Sequence, residues 1–237
     1  MTNSLTTSRT RSLLIGGALL VTALGAGLGA VNFAMDDSKV NAYAMSGKVH
    51  EIVVKTDSGN VDLAPGAGAA VNVRETQHFV SEKPELDRTL KDGVLTLDSH
   101  CSTLVLRCYS DLRVTVPAGV KVTVDADSGD VRSDWAKVRE ARVHSDSGNI
   151  DLRLAGRQSR VWAHTDSGDV RTTARSEALD AQTDSGDVSV YVPRGDYAVD
   201  ADTDSGDVDV AGITRNDHAK HSIKARSDSG DVTVRSR

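Results

Sequence analysis

The sequence predicts an all-β fold, a parallel β-helix or β-roll with coils of about 20 residues, preceded by one N-terminal transmembrane helix. Three observations predict it: a turn that recurs at a near-constant interval, apolar residues that alternate on both sides of each turn, and a shortage of aromatic side chains.

The recurring turn is Asp-Ser-Gly. It stands at Asp57-Ser58-Gly59, Asp127-Ser128-Gly129, Asp146-Ser147-Gly148, Asp166-Ser167-Gly168, Asp184-Ser185-Gly186, Asp204-Ser205-Gly206 and Asp228-Ser229-Gly230. The last six copies are 19, 20, 18, 20 and 24 residues apart. A period of that length marks a solenoid in which each repeat is one coil.

The flanking residues say how a coil is made. One, three and five places before the turn stand Thr56, Val54 and Ile52 in the first copy, Ala126, Val124 and Val122 in the second, and Thr203, Ala201 and Val199 in the sixth. Lys55, Asp125 and Asp202 alternate with them. Strict alternation is a half-buried strand. After the turn the apolar residues return at Val61 and Leu63, Ile150 and Leu152, Val188 and Val190, Val208 and Val210, and Val232 and Val234. The inward set therefore changes parity across Asp-Ser-Gly, so the chain turns a corner there. Glycine supplies backbone freedom, and Asp or Asn on either side of Ser-Gly bonds local N–H groups. Coils stacked about 4.8 Å apart pair like strands in parallel. The competing architecture is an antiparallel β-sandwich in which each Asp-Ser-Gly is a hairpin turn.

With aromatics at 3% of 237 residues, the core must be filled by Val, Ile, Leu and Ala, which suits thin stacked sheets. The interval from Asp57 to Asp127 holds no copy of the turn. Within it VNVRETQHF, VLTLDSH and LRVTVPAGVKVTVDA read as strands and SEKPELDRTLKDG as a polar connection, forming variant coils or an elaborated cap.

The N-terminal part is of another kind. Residues 1–12 read as a cytoplasmic tail, 13–35 as a membrane helix, 36–48 as a linker and 49–237 as the extracytoplasmic β-helix. Leu13 to Val31 is uncharged, with Arg9 and Arg11 before it and Asp36 and Asp37 after it. Its length is close to what a bilayer core requires, and the charge order keeps the N-terminus inside. A cleaved signal peptide is the alternative, its best cleavage site at Ala42-Tyr43-Ala44. Outside the cytoplasm Cys101 and Cys108 are expected to form a disulfide.

The stretch GVLTLDSHCSTLVLRCYSDLRVTVPAGVKVTVDADSGDV, followed by serial SGDV turns behind an N-terminal apolar segment, resembles the bacterial β-strand-repeat adhesin family of unknown function, also called toastrack domains. The resemblance covers Val49 to Arg237. It implies an extracytoplasmic β-helical domain, attached in many members to envelope-associated systems, and no catalytic residues.

Three chemistries compete for the motifs. Stacked acids could ligate Ca²⁺, as in a Ca²⁺-binding β-roll, but the repeat lacks the Gly-Gly-x-Gly-x-Asp pattern, and each Asp can instead cap its own turn. His144 and His164 stand beside Asp and Ser, yet they occupy an outward position where other copies carry Lys55, Asp125, Gln182, Asp202 and Arg226. No G-x-S-x-G elbow accompanies them. Beyond residue 35 the chain carries 26 basic and 34 acidic side chains, about −8, which opposes a nucleic-acid partner. Few aromatics are available to stack on carbohydrate.

The reading is a membrane-anchored structural or interaction module without catalysis, cofactor or metal, whose partner is a protein or another envelope component. A polysaccharide-processing β-helix enzyme is the alternative. The last coil, residues 228–237, is expected to leave an open edge through which the chain could associate with itself or add a partner strand.

Overall fold

The computed structural model describes residues 37–102 and 107–237. The segment read as a membrane helix lies outside the described residues.

Twenty strands follow one another in the described residues. The first seven are β1 (Asp37–Met45), β2 (Glu51–Thr56), β3 (Val61–Pro65), β4 (Val71–Phe79), β5 (Glu85–Lys91), β6 (Val94–His100) and β7 (Cys108–Val116). The regular coils then run through β8 (Lys121–Ser128), β9 (Val131–Ala136), β10 (Glu140–Ser147), β11 (Ile150–Leu154), β12 (Gln158–Ser167), β13 (Val170–Thr173), β14 (Ser176–Ser185) and β15 (Val188–Val192). The remainder are β16 (Asp196–Ser205), β17 (Val208–Ala211), β18 (Thr214–Arg215), β19 (Ser222–Ser229) and β20 (Val232–Ser236).

The strands form two sheets of ten, in the orders β1-β4-β7-β3-β9-β11-β13-β15-β20-β17 and β18-β16-β19-β14-β12-β10-β8-β2-β6-β5. Each coil places one strand in each sheet, joined through a first corner at Asp-Ser-Gly, and a second corner leads to the next coil. Inward residues of both sheets meet in a continuous core of Val, Ile, Leu and Ala, with Ile52, Leu97, Leu112, Ile150, Leu152 and Val170 fully buried. The all-β solenoid is thus the observed architecture, and its coil strands pair in parallel, which a hairpin sandwich would not do.

The order of the coils corrects the expectation at the C-terminus. The β19–β20 coil does not end the column. It lies between the β14–β15 and β16–β17 coils, with β20 paired to both β15 and β17. Residues 228–237 therefore present no open edge, and self-association through that coil is not available. With β16 already laid down one rung out, the 24-residue interval between Asp204 and Asp228 is long enough for the chain to complete that coil with β17, pass through β18 and return as β19. Apolar burial follows the order: Val232 and Val234 are fully buried, while Val208 is 42% exposed.

The other end is inverted in the same way. The β2–β3 coil pairs with both the β6–β7 coil and the β8–β9 coil, although β6 and β7 come later in sequence. Beyond β6 and β7 the column closes with antiparallel strands: β5 on β6, and β4 then β1 on β7. Residues 37–45, read as part of a linker, are in fact this edge strand. They are held by Glu75, which is fully buried on β4. Its carboxylate accepts from Asn41 Nδ2 at 3.1 Å, Tyr43 Oη at 3.0 Å, Gln77 Nε2 at 3.0 Å and Ser110 Oγ at 3.0 Å. A buried charge stays tolerable when every oxygen is so satisfied. Burial and the adjacent Glu75 push the Tyr43 hydroxyl above its usual pKa. Cys101 and Cys108 are joined by a disulfide between the end of β6 and the start of β7.

The first corner explains the signature residue by residue. The glycine N–H continues the ladder, Gly168 donating to the Ser185 carbonyl at 2.9 Å and Gly186 to that of Ser229 at 2.9 Å. The glycine carbonyl turns toward the next rung, where a hydroxyl satisfies it: Thr165 Oγ1 to Gly148 at 2.9 Å, Thr183 to Gly168 at 2.8 Å and Ser227 to Gly186 at 2.8 Å, all three buried, and the half-buried Thr203 to Gly230 at 2.8 Å. The acid or amide after glycine has an N–H that no backbone carbonyl reaches. The same residue one rung away supplies its side-chain oxygen instead. Bonds of 2.8–2.9 Å run Asp111–Asn60–Asp130–Asn149–Asp169–Asp187–Asp231–Asp207 through the whole column.

Glycine is required by contact as well as by angle. Gly186 has φ +142°, and a Cβ there would lie 2.2 Å from the Gly168 carbonyl oxygen. The Gly129, Gly148, Gly168, Gly206 and Gly230 positions meet a neighbouring glycine carbonyl at 2.1–2.4 Å in the same way. Gly156, at a second corner with φ +86°, has nothing within 4 Å of its Cβ position. Gly186→Ala is therefore expected to destabilise by about 3 kcal/mol, against about 1 kcal/mol for Gly156→Ala, in urea unfolding. Equal losses would mean that backbone angle alone, not rung-on-rung contact, demands glycine.

Candidate functional site

Once the structural duties are assigned, the side chains left over are the candidates for function. In the signature, the first acid is the one with least to do. Asp57, Asp127, Asp146, Asp166, Asp184, Asp204 and Asp228 are all exposed, and among the described residues only Asp146 has a side-chain partner, His144 Nε2 at 3.1 Å. The expectation that this Asp caps its own turn is corrected: the bond is made by the second acid, and to the neighbouring rung. The first acids form an exposed carboxylate row along one edge. Partial burial, then Asp57, Asp146 and Asp125, raises the pKa of Asp127. No group of three or more His, Cys, Asp or Glu that could hold a metal ion occurs among the described residues.

The outer face of the β8–β10–β12–β14 sheet carries a compact cluster. Register places Arg142 beside Trp162 and Trp162 beside Asp180, with His144, His164 and Gln182 in the adjoining row. The Arg142 guanidinium lies 3.9 Å from the Trp162 ring centre, and the His164 ring lies 3.8 Å from it. His164 Nε2 is 3.1 Å from Asp180 Oδ1, which also accepts from Gln182 Nε2 at 2.5 Å. Partial burial alone would raise the Asp180 pKa, but the bonds from His164 and Gln182 outweigh it and hold the carboxyl below its ordinary value. No hydrolase arrangement forms here. Ser145 and Thr165, the hydroxyls next to these histidines, point inward to the Gly129 and Gly148 carbonyls.

The outer face of the opposite sheet is a row of alternating charge: Arg113, Asp62, Arg132, Asp151 and Arg171 occupy successive rungs. A shallow cavity of about 300 Å³ lies over the first four. Arg132 pairs with Asp130 and Arg153 with Asp151.

The second-corner edge differs in both charge and shape. Lys137, Arg139, Arg157, Arg175 and Arg194 stand on its successive turns, all exposed, and none has an ion-pair partner among the described residues. Trp135 is the extra residue of a β-bulge: Arg153 pairs with Asp134 and Leu154 with Ala136, skipping it. It has φ +58° and is 40% exposed. The bulge turns its ring over a cavity of about 490 Å³, floored by Ala155, Gly156, Thr173 and Ala174 and walled by Tyr191 and Arg175. Arg237 closes the far side, its guanidinium 5.1 Å from the Trp135 ring centre.

A model of the Toastrack DUF4097 family matches residues 4–235. The chain belongs to that family. Its fold is similar to the crystal structure of a putative cell adhesion protein from Clostridium sporogenes, 13% identical, with a TM-score of 0.57, covering 85% of this chain and 100% of that one. It is also similar to a putative adhesin from Bacteroides fragilis, 15% identical, TM-score 0.48, covering 84% of this chain and 97% of that one. No curated protein matches the sequence.

Within this toastrack domain the sequence-predicted turn residues all meet at one edge. Asp111, the second acid of an eighth rung, escaped the sequence reading because Tyr109 and Ser110 stand where Ser-Gly is expected. Its signal was the phase of Asp111, Leu112 and Val114, the same as that of Asp187, Val188 and Val190. The Trp162 cluster escaped because its three strand segments, around Arg142, Trp162 and Asp180, lie 20 and 18 residues apart in sequence and come together only across rungs.

Asp180 gives a pH-dependent prediction. Its folded pKa is depressed, so its contribution is present above the ordinary aspartate value of about 3.9 and lost as pH falls through the folded value. Asp180→Asn is expected to lower stability by about 1 kcal/mol at pH 7. Denaturation midpoints of the two proteins should converge as pH falls below the ordinary aspartate value; a gap that persisted in strong acid would show that packing, not charge, is the contribution.

Proposed function

We propose that this toastrack protein is a membrane-anchored, non-catalytic recognition module of the bacterial cell envelope, with residues 1–12 in the cytoplasm and the β-column outside. The observation that carries the reading is where the unoccupied charges lie. The acids run along the first corners for the length of the column and the cations along four of the second corners, at 137–139, 157, 175 and 194, rather than converging on one point. A glycan-cleaving site needs two carboxylates placed about one scissile bond. Side chains repeated on every rung suit contact with an extended partner. The apolar stretch Leu13 to Val31, flanked by Arg9 and Arg11 and then by Asp36 and Asp37, supports the anchor and its orientation. The bonded Cys101 and Cys108 suit an oxidising compartment. The partner class that fits is a protein or polymer of the envelope.

Fractionation tests it. The full chain, tagged at its C-terminus, should remain in the membrane pellet through alkaline carbonate extraction. Protease added to intact cells after opening the wall should remove the tag. A soluble mature form beginning after Ala44, or a tag protected until the membrane is dissolved, would overturn the anchored topology.

A further inference from the structure

The second-corner edge carries a finer statement. The protein is acidic overall, yet Lys137, Arg139, Arg157, Arg175, Arg194 and Arg237 lie along this edge, against Glu140, Glu177 and Asp196 at the starts of adjoining strands. Elsewhere on the column Arg132, Arg153, Arg226 and Arg235 are paired with Asp130, Asp151, Asp200 and Asp209, and Arg113 and Arg171 stand beside Asp62 and Asp151 in register. A cation kept without a partner on an acidic protein is a stored interaction for an anion. Arg157 and Arg175 stand one rung apart, about 4.8 Å, and Arg194 follows on the β15–β16 connection, which climbs two rungs because the β19–β20 coil lies between.

Trp135 adds the shape. Its rung and that of Arg237 are four apart in the column, roughly 19 Å at strand spacing. The two side chains nevertheless meet, because both reach over the small residues Ala155, Gly156 and Ala174 of the rungs between. A left-handed φ at a bulky residue is a strained conformation, and bulges beside binding sites re-aim side chains. The result is an aromatic face, a second ring at Tyr191, a Thr173 hydroxyl and two guanidinium groups around one cavity, with no Asp or Glu in its lining. The ring lines this concavity together with Arg175 and Arg237, so a flat ligand ring can enter it beside two cations.

We propose that this edge is the binding site for an acidic polysaccharide, with a sugar ring held against Trp135 and the anionic groups of successive residues paired with Arg157, Arg175 and Arg194. A saccharide satisfies both halves of the site: its C–H face packs on an aromatic ring, and its carboxylates or phosphates meet the fork of arginine donors. A nucleic acid would also satisfy the cations, and both polymers face the same net acidic charge, so the oligothymidylate measurement is what tells them apart. The proposal deepens the recognition reading above and takes from it the envelope as the source of the polymer.

The test uses the full-length protein in detergent micelles and a fluorescently labelled oligogalacturonate, followed by anisotropy. Saturable binding is expected that weakens with added salt, with a neutral oligogalactose not binding. The triple variant Arg157→Gln, Arg175→Gln, Arg194→Gln should lose roughly tenfold in affinity. Trp135→Ala should lose about fivefold, and Trp135→Tyr, which keeps a ring, should retain most of it. Unchanged melting temperatures in these variants separate loss of the site from loss of the fold. The proposal is overturned if oligogalacturonate does not bind, if the folded variants bind as tightly as wild type, or if oligogalactose, inorganic polyphosphate or oligothymidylate binds as well as oligogalacturonate. Because binding in micelles does not depend on where the protein sits in the cell, a negative result here leaves the anchored topology to stand or fall on fractionation.

Discussion

The column depends on one contact: a glycine Cα seated against the carbonyl oxygen of the glycine one rung away. No side chain can occupy that approach, since a Cβ would come within 2.1–2.4 Å of the oxygen. Everything else at the first corner compensates for bringing backbone so close. The carbonyl that points along the column needs a donor, hence the Thr or Ser hydroxyl before the turn. The N–H that the corner strands without a carbonyl needs an acceptor, hence the Asp or Asn after glycine. Both substitutes are buried or shared between rungs, so each bond also sets the register of the next coil.

The same contact explains what happens where it stops. Ser110 is the outermost rung at the β6–β7 end, and no further corner carbonyl lies against it, so the glycine requirement lapses. Its hydroxyl is used instead to bind Glu75 and fasten the antiparallel cap. At the second corners no such ladder exists. Turn sequences there vary freely, from Lys137-Val138-Arg139 to Pro193-Arg194-Gly195, and can accommodate a bulged Trp135 and a row of arginines. One edge is uniform because the fold demands it; the other is free to carry recognition.

What could be read from the sequence follows from this division. Corner residues, inward Val and Ile pairs and the solenoid itself were legible because each is written locally and repeated. The order of the rungs was not. Val208 and Val210 serve a coil as well as Val232 and Val234 do, and nothing local says which pair lies outermost; the 24-residue interval was the one trace. The strand at 37–45 was hidden because its partners Glu75 and Ser110 are distant in sequence, and its own residues DSKVNAYAM alternate weakly. Trp135 was hidden because a bulge in left-handed backbone is set by the register of two strands, not by the residue.

The most direct measurement of this account is a pair of engineered disulfides in strand β15. Ser189 lies beside Thr233 in register, while Asp209 lies one rung further on, beside Thr233 on its other side. Stacking in sequence order would instead put Ser189 beside Asp209. Ser189→Cys with Thr233→Cys should crosslink rapidly and leave the fold intact, and Ser189→Cys with Asp209→Cys should not, since its Cα atoms would be about 9.6 Å apart at two strand spacings. Efficient crosslinking of the second pair and not the first would contradict the inverted order, and with it the ladder that runs from Asp187 through Asp231 to Asp207.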